Sequence, residues 1–415
     1  MQTESLEFEN ESGQRLAARL DLPVDGVVMA YALFAHCFTC GKNLKAATRI
    51  SRALTARGIA VLRFDFTGLG ESEGDFAETD FSSNVDDLVA AAGYLEQEHQ
   101  APQILLGHSL GGAAVLQAAH RLPEVRAVAT VAAPAEPGHV LTMLEGSRET
   151  IEQQGSAEVS LAGRRFRIGR RFLEDLDGEH MEREIRDLRK PLLVLHAPLD
   201  RQVDVDNATR IFGQAKHPKS FVSLDRADHL LSDPRDAEYA GTVIAAWASK
   251  YLDVPREQRR RPDPADNRVV VQTGASGYRS EILANGHPLV ADEPESVGGT
   301  NTGPGPYELL LAGLGACTGM TLRMYADRKS WPLEGVTVEL AHSKVHVSDC
   351  LDCETAEGKV DEIQRDLRLA GPLDAEQRQR LLEIADRCPV HRTLESEIKV
   401  RTRLTDPEET GDERD

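Results

Sequence analysis

Short apolar runs alternate with amphipathic stretches from residue 27 to about residue 250. Each run is apolar at consecutive positions, as expected of strands that are buried on both faces. The stretches between them, for example 43–58 and 82–98, repeat apolar residues at helical spacing. This alternation predicts an α/β fold with a mostly parallel sheet and helices on both of its faces. The candidate strands are VVMAYALFAH, IAVLRFDF, QILLGHS, AVATVAAPA, PLLVLHAPLD and KSFVSLDRA.

Residues 136–190 interrupt this alternation. The segment is too long for an ordinary connection between a strand and a helix, and we predict that it is a lid over a site at the sheet edge. It contains the basic stretch GRRFRIGRRFLEDL. These arginines either steer an acidic substrate or form a solvated charged face, and the second interpretation is the simpler one.

A second change of pattern comes at DVPREQRRRPDPADNR, residues 253–268, which is polar and charged and has no apolar periodicity. It predicts a linker. Residues 269–404 then contain alternating strands, a long helix rich in small residues, further strands and a second helix, and we expect an α+β domain. The acidic residues 405–415 are expected to be a frayed tail. The first domain is accordingly predicted at residues 1–252.

Composition narrows the choice of partners. A chain of 415 residues favours two domains or three, and its formal charge of −20 argues against a nucleic acid or an anionic membrane surface as partner. The longest apolar run, 27–35, is too short to span a membrane, and the N-terminus has no basic leader. We therefore expect a cytoplasmic protein without a membrane span. Six cysteines are too few for a disulfide framework, which leaves burial, metal binding or redox chemistry.

The segment GHSLG places Ser109 at the centre of a G-x-S-x-G motif, between a predicted strand and a predicted helix. A serine nucleophile needs a base, and the base needs an orienting acid. Asp200 and His229 both follow predicted strands, in the chain order that this type of site requires. Other residues near these positions remain alternatives. They are the acids Asp204, Asp206, Asp225 and Asp228 and the histidines His196 and His217.

Two backbone N–H groups are candidates for binding the oxyanion, those of Phe38 and Leu110. With the D-x-x-G-x-G-x-S turn at 65–72, these features resemble the α/β-hydrolase family over roughly residues 1–250. The resemblance implies hydrolysis of small-molecule esters through an acyl-enzyme. Cys37 stands where that family usually has glycine. Cys37 and Cys40 are either a redox or zinc pair or two small buried thiols.

A helix is predicted over 306–329, PYELLLAGLGACTGMTLRMYADRK, and several of its residues fall on one stripe. The stripe consists of Leu310, Leu314, Cys317, Thr321 and Met324. A second helix is expected to begin at the capping box of Asp374 and Gln377 and to end at Cys388, before Pro389. Cys388 falls on its apolar face. If both thiols point inward, they can form a disulfide when their Cα atoms lie within about 7 Å.

The motifs ELLLAGLGACTGMTL and RCPVHRTL resemble the OsmC and organic-hydroperoxide-resistance family over roughly 269–404. The resemblance implies a thiol peroxidase in which Cys317 attacks an organic hydroperoxide, Cys388 forms a disulfide with it, and an unidentified thiol reduces the pair. It also implies an intertwined homodimer. The family has a glutamate ten residues before the first cysteine. Tyr307 occupies that position here, so Glu308 and Arg279 are the candidates for activating the thiol.

The pair Cys350 and Cys353 has three interpretations: a zinc site with His342 and His346, a second redox pair, or an inert hairpin. We expect neither a metal nor a cofactor. The sequence as a whole predicts a serine carboxylesterase fused to a thiol-dependent organic hydroperoxide reductase. The alternative is an esterase whose second domain serves only for dimerisation or ligand binding.

Overall fold

The computed structural model describes residues 1–24, 26–36, 41–139, 145–161, 164–178, 181–252, 268–274, 277–285, 287–346 and 359–404. The chain forms two compact units. The first consists of Met1–Gln272 with Glu281–Leu289, and the second of Thr273–Ser280 with Val290–Asp415. The predicted linker, apart from residue 268, and the predicted acidic tail lie outside the described residues.

The first unit is built on a sheet of eight strands in the order β1-β2-β4-β3-β5-β6-β9-β10. Its strands and those of a separate hairpin are β1 Gln2–Glu9, β2 Arg15–Leu22, β3 Ala30–Ala35, β4 Ile59–Phe64, β5 Ile104–His108, β6 Ala127–Val131, β7 Ser156–Leu161, β8 Arg164–Gly169, β9 Leu192–His196 and β10 Lys219–Ser223. From β4 to β10 the neighbouring strands are parallel, whereas β1 and β2 are antiparallel. Each of the six predicted strands is confirmed. The sequence pattern missed β1 and β2 because they mix polar with apolar residues and contain no long apolar run.

Helices cover both faces of this sheet, as predicted. They are α1 Lys45–Thr55, α2 Phe81–Glu98, α3 Leu110–Ala118, α4 Glu145–Gln154, α5 Arg170–Gly178, α6 Met181–Asp187, α7 Asp206–Gln214 and α8 Pro234–Ala248. The core is divided accordingly into two apolar layers. One contains residues of α2, α3 and α7, and the other contains residues of α1 and α8.

The predicted lid segment contains α4, the β7–β8 hairpin, α5 and α6; its residues 140–144, 162–163 and 179–180 lie outside the described residues. Phe172 attaches it to the fold, with its ring 5.7 Å from that of Phe76. Arg171 is 72% exposed and pairs with Asp80 at 2.5 Å. Arg167 binds the hydroxyl of Ser156. These local contacts favour the interpretation of the basic stretch as a solvated charged face.

After residue 268 the chain forms a small sheet, a hairpin and three further helices. The elements are β11 Val269–Thr273, β12 Ser280–Ala284, β13 His287–Ala291, α9 Pro306–Arg328, β14 Gly335–His346, β15 Lys359–Ala370, α10 Ala375–Ala385 and α11 Pro389–Leu394. Strands β14 and β15 pair antiparallel over their full length. The core of the second unit consists of Leu322, Ala326, Leu333, Leu373, Leu381, Ile384 and Ala385.

Two predictions about these helices were wrong in detail. The stripe of α9 that faces the core is Leu314, Thr318, Leu322 and Ala326. The predicted stripe ran along a different line, because α9 carries small and apolar residues on every side and periodicity alone does not select one face. The predicted second helix, α10, ends at Ala385, and Pro389 begins α11. Proline suits the first position of a helix because the N–H that it lacks there has no intrahelical acceptor.

Within the described part of the chain, α9 is the helix that is long and apolar enough to cross a membrane by length and composition alone, and 28% of its apolar window is buried. Core helices of water-soluble proteins pass the same test, so this property of α9 is weak support for a membrane span.

Candidate active sites

Ser109 occupies the sharp turn between β5 and α3, with φ of 55° and ψ of −127°. The neighbouring positions 107 and 111 require glycine, because other backbone segments lie too close to leave room for a side chain. A Cβ at Gly107 would lie 2.3 Å from the carbonyl oxygen of Gly111, and a Cβ at Gly111 would lie 2.5 Å from that of Ala35. Because β5 and α3 pack so tightly, the Ser109 side chain is held at the carboxyl end of the sheet, where it is half-buried.

The structure brings together the three residues selected from the sequence. The Ser109 hydroxyl lies 3.0 Å from Nε2 of His229, and Nδ1 of His229 donates to Oδ2 of Asp200 at 2.7 Å. Asp200 follows β9, and His229 follows β10, which pairs with β9 in parallel. Parallel pairing places both loops at the same edge of the sheet.

Three of the four alternative acids are engaged elsewhere. Asp204 accepts from the N–H of Asp206, Asp225 accepts from the hydroxyl of Ser223, and Asp228 accepts from the N–H of Ser232.

Asp200 is held as a carboxylate. Burial alone would raise its pKa, but the hydrogen bond and charge of His229, together with two backbone hydrogen bonds, outweigh burial and lower the pKa. Its other oxygen accepts from the N–H groups of Gln202 at 2.8 Å and Val203 at 3.0 Å. All of these donors favour the ionised form, which keeps the His229 ring in the orientation that presents Nε2 to Ser109.

Two buried histidines hold the loops of this site: His108, to which sequence reasoning assigned no role, and His196, which it considered only as an alternative to His229. Nε2 of His108 donates to the carbonyl oxygen of His229 at 2.7 Å. Burial first, and then the nearby His229, lower the pKa of His108 to about 3, so its ring is neutral at physiological pH. Nε2 of His196 donates to the carbonyl oxygen of Val203 at 2.8 Å, and burial lowers its pKa as well. Each neutral ring therefore supports one of the loops that carry Asp200 and His229.

Of the two candidate oxyanion donors, Leu110 opens α3, so its N–H is among the first N–H groups of a helix and has no intrahelical acceptor. Phe38 lies outside the described residues, together with Cys37 and Cys40.

The loop after β3 is described again from residue 41 onward, and the D-x-x-G-x-G-x-S turn anchors it there. Asp65, the first residue of that turn, accepts from both the backbone N–H and the Nζ of Lys42, at 2.6 Å each. Both side chains are buried. Burial would raise the pKa of Asp65, but the Lys42 hydrogen bonds lower it. A Cβ at Gly70 would lie 2.2 Å from Oδ2 of Asp65, so the turn needs glycine there to admit the carboxylate.

The candidate cysteines of the second unit have different surroundings. Cys317 on α9 is half-buried, Cys388 is fully buried, and both are free thiols. Sγ of Cys388 accepts from the N–H of His391 at 3.3 Å and lies 3.6 Å from Oγ1 of Thr318. Thr318 in turn accepts from Nη1 of Arg365 at 3.2 Å. Sequence reasoning missed Thr318 and Arg365, which no motif marks.

Within one chain the two candidate activators are not joined to Cys317. The carboxylate of Glu308 accepts from the N–H of Gly305 at 2.7 Å and caps α9. Glu308 lies nine positions before Cys317, which is about 13.5 Å along a helix axis. Among the described residues no hydrogen bond or ion pair joins Arg279 to Cys317. The ring of Tyr307 stacks on His342 at 4.3 Å between centroids.

Cys350 and Cys353 lie outside the described residues. His342, one of their proposed companions, binds Asp361 at 2.8 Å. In the part of the chain that the structure describes, no cluster of three or more His, Cys, Asp or Glu side chains has the geometry to hold a metal ion.

Comparison with known proteins decides the family. The esterase domain of a Rhodothermus marinus protein is 53% identical in sequence; the match covers 61% of this chain and 100% of that domain, with a TM-score of 0.52. The model of the family serine aminopeptidase, S33, matches residues 40–147, and the model of OsmC-like protein matches residues 299–403. The chain is an α/β hydrolase joined to an OsmC-like domain.

Two curated relatives match the hydrolase part. The mouse (Mus musculus) palmitoyl-protein thioesterase ABHD10, mitochondrial, is 26% identical over 189 residues, which are 43% of this chain and 62% of the relative. The uncharacterized protein YfhR of Escherichia coli K12 is 22% identical over 258 residues, which are 61% of this chain and 78% of the relative. We call the first unit the hydrolase domain and the second unit the OsmC-like domain.

Proposed function

We propose that the hydrolase domain is a serine carboxylesterase that works through an acyl-enzyme at Ser109. The observation that carries this proposal is the continuous hydrogen-bond chain from Ser109 to His229 to Asp200, with distances of 3.0 Å and 2.7 Å. His229 takes the proton of the Ser109 hydroxyl as Oγ attacks the acyl carbon, and Asp200 stabilises the imidazolium that forms. The N–H of Leu110 donates to the oxyanion. His229 then protonates the leaving alcohol, and water releases the acid by the same route.

The test is a comparison of Ser109→Ala with Ser249→Ala, a change of an exposed serine at the end of α8. Ser109→Ala is expected to lower kcat for short p-nitrophenyl esters by roughly 10⁶-fold, while Ser249→Ala leaves it unchanged. Retained turnover in Ser109→Ala would exclude Ser109 as the nucleophile.

Because one curated relative is a palmitoyl-protein thioesterase, a palmitoyl thioester should be assayed beside the oxygen esters. The same serine chemistry cleaves both bonds, so the ratio of their kcat/KM values identifies the substrate class.

The OsmC-like domain, in our proposal, reduces organic hydroperoxides. Cys317 is the thiol that a peroxide reaches, since it is half-buried, whereas Cys388 is shielded. The Cys317 thiolate attacks the outer peroxide oxygen, the O–O bond breaks, an alcohol leaves, and Cys317 becomes a sulfenic acid. Cys388 then forms a disulfide with Cys317 and releases water. An external thiol returns both residues to the reduced form.

Intact-mass analysis after treatment with tert-butyl hydroperoxide tests this second activity. Wild type is expected to lose two hydrogens, mapped to Cys317 and Cys388 by peptide analysis, and Cys317→Ser is expected to keep its mass. An unchanged wild-type thiol count would leave the alternative, in which this domain serves only for dimerisation or ligand binding.

A homodimer through the OsmC-like domain is supported by the exposed apolar side of α9. There Leu310 is 41%, Met320 66% and Met324 72% exposed, which is unusual for a helix of 23 residues in an isolated monomer. Met324→Lys is expected to halve the mass measured by light scattering, whereas Asp327→Ala on the same helix should not. A wild-type chain that is monomeric at assay concentration would contradict this proposal.

A further inference from the structure

The buried thiol of Cys388 contacts two hydrogen-bonding groups that the attack on peroxide at Cys317 does not use. Its Sγ is fully buried and accepts from the N–H of His391 at 3.3 Å. The Thr318 hydroxyl oxygen lies 3.6 Å from the same sulfur and is also fully buried. A buried thiol without such partners would resist ionisation, because burial penalises the charged form. The His391 N–H and the Thr318 hydroxyl therefore lie where a buried thiolate would need donors.

The Thr318 hydroxyl is arranged so that it fits either form of this thiol. It donates to the carbonyl oxygen of Leu314 at 2.9 Å and accepts from Arg365 at 3.2 Å. A hydroxyl has one proton and two acceptor positions, so the remaining position accepts from a neutral Cys388 S–H. When Cys388 is a thiolate, rotation about the Cβ–Oγ1 bond of Thr318 turns its O–H away from the carbonyl oxygen of Leu314, so that the hydroxyl donates to the sulfur.

Arg365 supplies a permanent positive charge behind that hydroxyl. Its side chain is 11% exposed and it pairs with Asp386, which is 63% exposed, at 2.6 Å. Its other terminal nitrogen is shared by Thr318 and the carbonyl oxygen of Ala385, each at 3.2 Å. That carbonyl belongs to the last residue of α10, three positions before Cys388. Arg365 thus fixes the Thr318 hydroxyl and the end of the helix that leads to the thiol.

We propose that Thr318 and Arg365 stabilise the Cys388 thiolate and thereby set the rate at which Cys388 attacks the sulfenic acid of Cys317. The proposal rests on the peroxidase function proposed above. Thr318 contacts the reacting sulfur, and Arg365 acts through Thr318 as a positioning residue. Since Cys317 directly precedes Thr318, its Cα lies about 3.8 Å from that of a residue in contact with Cys388.

Disulfide formation between Cys388 and the sulfenic acid of Cys317 needs no reactant from outside the protein. The electron pair of the Cys388 thiolate forms the S–S bond to the sulfur of Cys317, and the S–O bond of the sulfenic acid breaks. The hydroxide that leaves takes up the proton that Cys388 gave up on ionisation and departs as water. No further oxidant or reductant is needed until an external thiol reduces the disulfide.

The experiment follows the two steps separately in the reduced full-length protein after rapid mixing with tert-butyl hydroperoxide. Trapping with dimedone measures formation of the Cys317 sulfenic acid, and quenched mass analysis measures formation of the disulfide. In Thr318→Val the first rate should stay within about twofold of wild type, while the disulfide should form about tenfold more slowly at pH 6, because a hydrogen bond to a charged group is lost. The difference should shrink as pH rises, and Thr318→Ser should restore the wild-type profile.

Arg365→Gln is expected to shift the pH profile of disulfide formation in the same direction as Thr318→Val, with Arg365→Lys between Gln and wild type. A purely structural role of Arg365 would lower the melting temperature without moving that profile. The proposal is overturned if Thr318→Val forms the disulfide at the wild-type rate, if it is slower by the same factor at every pH, or if sulfenic acid formation slows equally. If wild type forms neither sulfenic acid nor disulfide, the peroxidase function itself fails, which is a separate and recognisable outcome.

Discussion

The serine site and the cysteine site differ in how completely a single chain holds them. In the hydrolase domain, every described contact of Ser109, His229 and Asp200 with one another is 3.0 Å or shorter. These residues come from loops at the end of a sheet that is covered on both faces. In the OsmC-like domain, Cys388 is buried, while Cys317 is half-buried on a helix that buries one stripe and exposes its other sides.

The difference has a physical origin in the two sheets. A parallel sheet buried on both faces fixes each strand from two sides, so the loops at its carboxyl edge inherit a defined geometry. The hairpin of β14 and β15 has alternating partly exposed residues, and α9 buries only the stripe of Leu314, Thr318, Leu322 and Ala326. The exposed sides of α9 leave room for a second copy of the chain, as in the homodimer proposed above.

The largest expected effect tests whether the serine site is as complete as its geometry indicates. Asp200→Asn should lower kcat for ester hydrolysis by about 10⁴-fold, because an amide at this position no longer fixes the His229 tautomer that accepts the serine proton. The matched change Asp204→Asn alters an exposed acid that the sequence left as an alternative, and it should stay within about twofold of wild type. Steady-state hydrolysis of a p-nitrophenyl ester measures both. If the two variants lose activity equally, Asp200 does not have the role proposed for it.

A smaller effect concerns the neutral histidine that supports the serine site. The pKa of His108 is about 3 in the folded chain against an ordinary value of 6.5, so between these pH values the unfolded chain binds one more proton. Stability from this group is present above pH 6.5 and is lost as pH falls toward 3. His108→Gln keeps a donor for the His229 carbonyl without titrating. It should reduce the pH dependence of the unfolding free energy by about 1.4 kcal/mol per pH unit over this range.

Denaturant unfolding of the Trp331→Phe background measures this change, since Trp247 then reports on the hydrolase domain alone. An unchanged slope between pH 6 and 4 would mean that His108 is protonated in the folded chain, contrary to its burial and its hydrogen bond.

Sequence reasoning predicted most of the hydrolase domain because its strands and its nucleophile are marked by short stretches of sequence. Apolar runs mark the buried strands, and the motif and chain order select Ser109, Asp200 and His229 at their ends. The supporting residue His108 could not be selected in this way. It lies inside the motif, but its partner is a carbonyl group 121 positions away, which only the folded chain brings near.

The OsmC-like domain was less predictable for a different reason. Because α9 is apolar and slim on all sides, its sequence periodicity does not identify the face that contacts the core. Thr318 was therefore not recognised as a buried residue beside Cys388. Pro389 was equally ambiguous, since proline follows the end of many helices and also begins many others.

The smallest expected effect concerns the cysteine site of the OsmC-like domain. Glu308 was a candidate activator of Cys317, but its carboxylate caps α9 by accepting from the N–H of Gly305 at 2.7 Å. Glu308→Gln keeps an acceptor at this position, so both stability and the rate of peroxide reduction should stay near wild type. Glu308→Ala loses the cap and should destabilise the OsmC-like domain by about 0.5–1 kcal/mol. Peroxide consumption and thermal melting of the two variants separate the roles. A rate of peroxide reduction that falls strongly in Glu308→Gln, at an unchanged melting temperature, would show that the carboxylate charge acts on Cys317. Within one chain about 13.5 Å of helix separates the two residues. The acting carboxylate would then be that of the partner copy.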